Sequence, residues 1–141
     1  MFIRRCSPGR WRDGWLLLAA FALVAGCSRS ERLYHVAGNV TFAGKPVPKG
    51  TIVFEPDTSR GNQGSAGFAQ IVNGHYDTRV GEGKGTVGGP HLVRILGLDG
   101  IPRGELVNGS PLFPEYNTTA DLPKEDTTLD FEVPTRRAAT P

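Results

Sequence analysis

From Leu33 to Pro134 the chain alternates apolar and polar positions in short runs broken by Gly, Pro and Asn, with no sustained helical period. That pattern predicts strands. In the first run Val36, Gly38, Val40 and Phe42 fall on one face, and His35, Ala37, Asn39 and Thr41 on the other. Residues 44–50, rich in Gly and Pro, turn the chain into Thr51–Glu55, where Ile52 and Phe54 share a side until Pro56 and Asp57 stop the run. Residues 61–64 read as a loop. Later runs span residues 68–72, 75–80 and 91–96. A last run alternates Leu129, Phe131 and Val133 with Thr128, Asp130 and Glu132. The count is six strands with a candidate seventh.

Asn73-Gly74 is the sharpest local signal, because both residues tolerate the positive φ of a type I′ hairpin. This turn fixes a register in which Ile71 faces Tyr76 on the core side, while Gln70 and Asp77 face outward. A slip by one residue would bury Asp77.

Residues 101–126 show no clear period and read as one long loop holding Pro111-Leu112-Phe113-Pro114-Glu115-Tyr116-Asn117. Loops this long are uncommon in compact domains. Its aromatics predict packing against the body, and Phe113, Tyr116 and Asn117 are the candidate binding residues should the loop recognise a ligand. The tail, residues 135–141, is expected to fray.

The N-terminus carries a different pattern. A basic stretch ending at Arg12 precedes the apolar run Trp15–Val24, the layout of an export signal. Ten residues make a helix of roughly 15 Å, about half the hydrocarbon thickness of a bilayer, so removal is expected rather than permanent spanning. The run closes with Val24-Ala25-Gly26-Cys27, which resembles the lipobox of bacterial lipoproteins. That resemblance implies signal-peptidase recognition of Val24, Ala25 and Gly26, cleavage after residue 26, and acylation of Cys27. Two or three acyl chains would anchor the product firmly to a membrane. Ser28 rather than Asp after the cysteine favours the outer membrane under the sorting rule of well-studied Gram-negative bacteria. Residues 27–32 become the tether, and residues 33–134 the body.

Composition agrees with a single exported domain. The 141 residues hold 16 Lys+Arg and 14 Asp+Glu. Removing the leader takes away four arginines and one aspartate, leaving 12 basic and 13 acidic residues. A nearly neutral body lacks the charge that nucleic-acid binding needs. The other cysteine, Cys6, lies within the leader, so the body can form no internal disulfide.

Residues 36–42, Gly44-Lys45-Pro46, residues 50–56, Asn73-Gly74-His75-Tyr76 and residues 89–95 together resemble carboxypeptidase regulatory-like, transthyretin-type domains. They look especially like the small planctomycete lipoproteins that carry such a domain, which also show a Pro-x-x-Tyr-Asn segment like residues 114–117. The likeness implies an all-β fold, a seven-stranded Greek-key, transthyretin (prealbumin)-like β-sandwich. It imports little function, because these motifs are turns and core positions. Related enzymes that hydrolyse 5-hydroxyisourate end in a Tyr-Arg-Gly-Ser motif, which residues 136–141 lack.

Catalytic chemistry finds little support. His35, His75 and His91 have no metal-ligand spacing, and no catalytic residue, metal site or cofactor is assigned. His91 shares parity with Val93 and Ile95 and is expected at the core edge; His35 and His75 are expected to face outward. Tyr34, Tyr76 and Tyr116 lack the paired His-x-His run of an iron dioxygenase. Asp121, Glu125 and Asp126 do not form a calcium loop. Residues 81–86 only superficially match the Gly-x-x-x-x-Gly-Lys-Ser/Thr spacing of a phosphate-binding loop, no helix follows them, and they read as a flexible hairpin connection. The expectation is a non-enzymatic envelope lipoprotein outside the cytoplasm, held to the membrane through Cys27 and presenting its sandwich to an envelope protein for structural or interaction purposes. The alternatives are a carbohydrate- or peptide-binding module and, further off, a small hydrolase.

Overall fold

A computed structural model describes residues 31–135. The leader, Val24, Ala25, Gly26, the lipobox Cys27, the first tether residues and residues 136–141 lie outside the described residues. The body is all-β: β1 (Val36–Phe42), β2 (Lys45–Pro46), β3 (Lys49–Pro56), β4 (Gly67–Val72), β5 (His75–Asp77), β6 (Gly89–Leu98), β7 (Tyr116–Leu122), β8 (Thr127–Thr128) and β9 (Phe131–Val133). A single 3-10 turn, Thr58–Arg60, is capped by Asp57, whose carboxylate accepts from Ser59 N at 3.0 Å. Among the described residues no helix is long and apolar enough to cross a membrane.

The strands form one curled sheet in the order β2-β1-β5-β4-β3-β6-β7, antiparallel along that path, with β8 and β9 added in parallel to β1. The curl brings Phe131 of β9 across the inner face, its ring 6.3 Å from that of Phe54 and 6.2 Å from that of Tyr76. Between them lies the core of Val36, Val40, Ile52, Phe54, Ala69, Ile71, Tyr76, Val93 and Ile95, all buried. These are the positions that the alternation assigns inward, and at ~2 kcal/mol per buried aliphatic side chain they hold the curl closed.

The Asn73-Gly74 turn has the expected geometry, with φ of 50° and 80°, and Ile71 pairs with Tyr76. Gln70 is exposed, whereas Asp77 is half-buried, since its carboxylate turns back to accept from Arg79 N. His91, expected at the core edge, is fully buried near the start of β6, where it pairs with Pro56, the last residue of β3.

Two expectations need correction. The single long loop over residues 101–126 contains a seven-residue strand, β7, paired along its length with β6. The final strand is split in two. Leu129 and Asp130 leave the ladder because Asp130 Oδ1 accepts from Asn39 N at 2.7 Å and Leu129 O accepts from the Tyr76 hydroxyl at 2.6 Å.

The registers also define two ends of the body. The first holds Glu31–His35, residues 57–66 and the turns after β5 and β7. The second holds the turns after β1 and β4, the β6–β7 connection and the end of β9. Strands of seven to ten residues at about 3.3 Å each separate the ends by roughly 25 Å.

Candidate functional site

The chain enters the body at the first end, and there it is held. Glu31 accepts from Ser65 N at 3.2 and 3.1 Å through its two oxygens, and from Ser65 Oγ at 2.5 Å. Those bonds hold the Glu31 carboxyl below its ordinary value, with Lys84 adding a smaller effect of the same sign. Gly64 leaves room for the contact, because a Cβ there would collide with the Glu31 carboxylate and stand 2.7 Å from Val87 Cγ1. Tyr34 then pairs with Thr86 in both directions, at 2.7 and 2.8 Å.

At the second end the three candidate binding residues come together, though not as a loop. Phe113, Tyr116 and Asn117 line a cleft of about 380 Å³ with Pro114, Glu115, Val133 and Pro134. Phe113 is buried and forms the floor, its ring 4.9 Å from Phe42. Gly97 lies beneath it: a Cβ there would come within 2.5 Å of the ring. Tyr116 and Asn117 are the first two residues of β7, so their opposite directions follow from the pleat: Tyr116 packs on the core and Asn117 is exposed.

The cleft opens beside the free side of β7. Among the described residues this strand pairs only with β6, which leaves alternate N–H and C=O groups along its other side without a strand partner there. The usual edge defences are sparse. β7 has no Pro or Lys, and its one charge, Asp121, is paired with Arg60 at 3.1 Å near the strand's end. Glu115 is the one charged side chain lining the cleft.

The β6–β7 connection builds a second feature at the same end. Asp99 organises it: Oδ1 accepts from Ile101 N and Ser110 N, both at 3.0 Å, and Oδ2 accepts from Arg103 Nη1 at 2.7 Å. Those bonds, led by Ile101 N, hold the Asp99 carboxyl below its ordinary value. Arg103 and Leu106 exchange two backbone bonds, making a short hairpin that exposes Ile101, Leu106 and Val107 at 55%, 52% and 69%. At its base lies a second hollow of about 430 Å³ on the outer face of the sheet, lined by Lys49, Thr51, Gln70, Val72, Leu96, Leu98 and Asn108.

The histidines are spread over different elements. His35 precedes β1, its Nδ1 3.3 Å from Thr78 Oγ1; His75 is exposed on β5. Buried His91 hydrogen-bonds Gly89 O through Nδ1 at 2.9 Å, while its Nε2 has no partner among the described residues. Among the described residues no group of three His, Cys, Asp or Glu side chains is placed to hold a metal ion.

Sequence reasoning missed Pro114, Glu115, Val133 and Pro134 as cleft residues, and the hairpin built on Asp99. Val133 reaches the cleft only through the parallel pairing of β9 with β1, which no local signal announces. The hairpin had a faint one: three large aliphatics between Gly100 and Gly109 that fit no core period.

Comparison of the chain with protein-family models, with curated proteins and with solved structures returns no match.

Proposed function

We propose that this chain is an exported, lipid-anchored and non-enzymatic envelope protein whose β body accepts an extended segment of another protein along β7. The carrying observation is the coincidence of an undefended seven-residue edge with an apolar cleft at its start. Strand addition takes affinity from main-chain hydrogen bonds and selectivity from pockets beside them. The cleft would take an apolar side chain against Phe113, Tyr116 and Val133, and Glu115 would favour a cation next to it. A sugar-stacking platform is less well supported, because Phe113 is buried except where it lines the cleft and Tyr116 packs on the core, so neither presents a ring face wide enough for a sugar.

With β2 taken as an extension of its turn and β8 and β9 as one interrupted strand, seven strands remain, which supports a Greek-key sandwich of transthyretin type. Membership among lipoproteins bearing carboxypeptidase regulatory-like domains rests on the turn and core motifs of residues 36–95.

The anchor rests on the leader and on Val24-Ala25-Gly26-Cys27. With Glu31 already bonded to the body, only Ser28–Ser30 would remain as free tether, at most about 10 Å. The first end would then lie close to the membrane, and the cleft would face away from it, with the β7 edge running between the two ends. Antiparallel pairing of β7 with β7 of a second copy turns that copy end for end. Two copies anchored in one leaflet cannot meet this way, so the incoming strand belongs to another protein.

Two measurements test the reading. Labelled palmitate should enter the wild type but not Cys27→Ala; equal labelling would remove the anchor. For the edge, the probe is a fluorescent heptapeptide of alternating valine and threonine with an arginine at its C-terminal end, which antiparallel pairing sets beside Glu115. Binding should fall at least tenfold with Thr119→Lys or Glu115→Gln, and should vanish when alternate peptide amides facing β7 are methylated. Binding indifferent to that methylation would refute strand addition.

A further inference from the structure

The hairpin on Asp99 and the hollow at its base lie side by side on the same end of the body, and neither is used by the strand-acceptor edge. One is a protrusion and the other a recess. Leu106 and Val107 stand out from the hairpin, more than half exposed. Val72, Leu96 and Leu98 give the hollow apolar walls, and Val72 is itself 56% exposed. An ordered apolar protrusion is unusual on a surface that could leave such residues out. Here the chain holds them in place: Asp99 accepts from two backbone N–H groups and Arg103. Gly109, at φ 85°, keeps the base tight, since a Cβ there would stand 2.6 Å from Ile101 N and collide with Asp99 Oδ1.

The charges are divided in the same way as the shape. Glu105, at the hairpin tip, has no ion-pair partner among the described residues, whereas Lys49, on the rim of the hollow, makes only a long bond of 3.4 Å to Asn108 Oδ1. A surface that carries both halves of a complementary pair, knob with anion and socket with cation, can bind a copy of itself about a two-fold axis. Asn108 belongs to both features, ending the hairpin and lining the hollow, so an axis passing near it would exchange the two knobs.

We propose that the body forms a two-fold dimer in which Leu106 and Val107 of each copy fill the Val72–Leu96–Leu98 hollow of the other, with Glu105 facing Lys49 across the interface. An axis parallel to the strands points both first ends in the same direction. The dimer is therefore compatible with two chains anchored in one leaflet, and it leaves β7 free in both. It does not depend on either part of the reading above.

The test uses the full chain in the cells that produce it, with two differently tagged copies expressed together. The body has no cysteine of its own. Val107→Cys in one copy and Val72→Cys in the other should give a mixed-tag disulfide dimer on mild oxidation. Val80→Cys, 66% exposed at the opposite end, paired with Val72→Cys should not. Leu106→Asp in both copies should lower the yield at least tenfold. Glu105→Lys should lower it several-fold, and adding Lys49→Glu should restore it. Three outcomes would overturn the proposal: equal yields from the Val107 and Val80 pairs, indifference to Leu106→Asp, or charge reversal without rescue. So would cross-linking of Val107→Cys solely to a different protein.

Discussion

The Tyr76 hydroxyl donates to Leu129 O at 2.6 Å, joining the middle of the sheet to the break between β8 and β9. Leu129 N in turn donates to Ala37 O at 2.8 Å, so both backbone groups of this out-of-ladder residue are satisfied. Burial pushes the Tyr76 phenol far above its ordinary value, and the Asp130 carboxylate adds to the effect. The hydroxyl therefore stays protonated and donating at any pH at which the fold survives. Tyr76→Phe keeps the ring but leaves Leu129 O without its donor. The expected loss is about 1–2 kcal/mol, read as a lower urea midpoint at unchanged slope.

Gly38 supports the same crossing from below. An added Cβ would collide with Leu129 O and stand 3.1 Å from Asp130 Oδ1. Gly38→Ala should cost about 1–3 kcal/mol by overpacking. Because it displaces the carbonyl that Tyr76 uses, the double variant with Tyr76→Phe should lose less than the sum of the single losses. Strict additivity in urea titrations would show the two contacts to be independent.

Asp126 ties the β7–β8 turn to the start of β1. It accepts from His35 N at 2.8 Å and from Arg79 Nη2 at 2.6 Å, and these two bonds, in that order, hold its carboxyl below the ordinary 3.8. A lowered folded value means that the contribution is present above the unfolded value and is lost as pH falls through the folded one. Asp126→Asn should therefore lower stability at neutral pH and flatten the fall in stability below about pH 4. Melting curves from pH 2 to 7 would show it, and unchanged steepness on the acid side would contradict it.

Much of this architecture was legible in the alternation, and the exceptions share a cause. Ile71 facing Tyr76 followed from Asn73-Gly74, because a tight turn transmits its register to the strands beside it. β7 escaped notice although Tyr116, Thr118, Ala120 and Leu122 do face inward. Thr118 and Ala120 are too small or too polar to contrast with Asn117 and Thr119, so the period of two is present without amplitude. The split at Leu129 was hidden for another reason: its determinants, Tyr76 and Asn39, are distant in sequence. Of the cleft, Phe113, Tyr116 and Asn117 could be named as residues of interest, but their arrangement as floor, wall and strand edge depends on pairings with β6 and β1.

Gly97 offers a way to disturb the cleft without touching its rim. The ring of Phe113 rests on this glycine, and Val47 Cγ1 would lie 3.1 Å from an added Cβ. Gly97→Ala should therefore push the Phe113 ring toward the opening. The fold should lose about 1–3 kcal/mol, and the strand probe should bind several-fold more weakly although every β7 residue is intact. Unaltered affinity would mean that the cleft floor does not take part in recognition.

The Glu31 clamp predicts how the anchored end responds to acid and to mutation. Trypsin can cut after Arg32 only if the chain around it lifts from the body, and Glu31 on one side and the Tyr34–Thr86 pairing on the other resist that. Glu31→Ala or Ser65→Ala removes the clamp while leaving the core untouched, so cleavage after Arg32 should speed up several-fold with the urea midpoint nearly unchanged. Gly64→Ala should have the same effect by pushing the carboxylate out of its place. The carboxyl is held below its ordinary 4.5, chiefly by the Ser65 hydroxyl and then by the Ser65 amide. The clamp is therefore complete above that value and is lost as pH falls through the lowered one. Hydrogen exchange at the Ser65 amide, followed from pH 6 into acid and corrected for the intrinsic rate, should keep its protection down through the ordinary carboxylate value in the wild type and lose it below. In Glu31→Gln the neutral amide still accepts, so protection should be weaker at pH 6 but nearly constant over the same range.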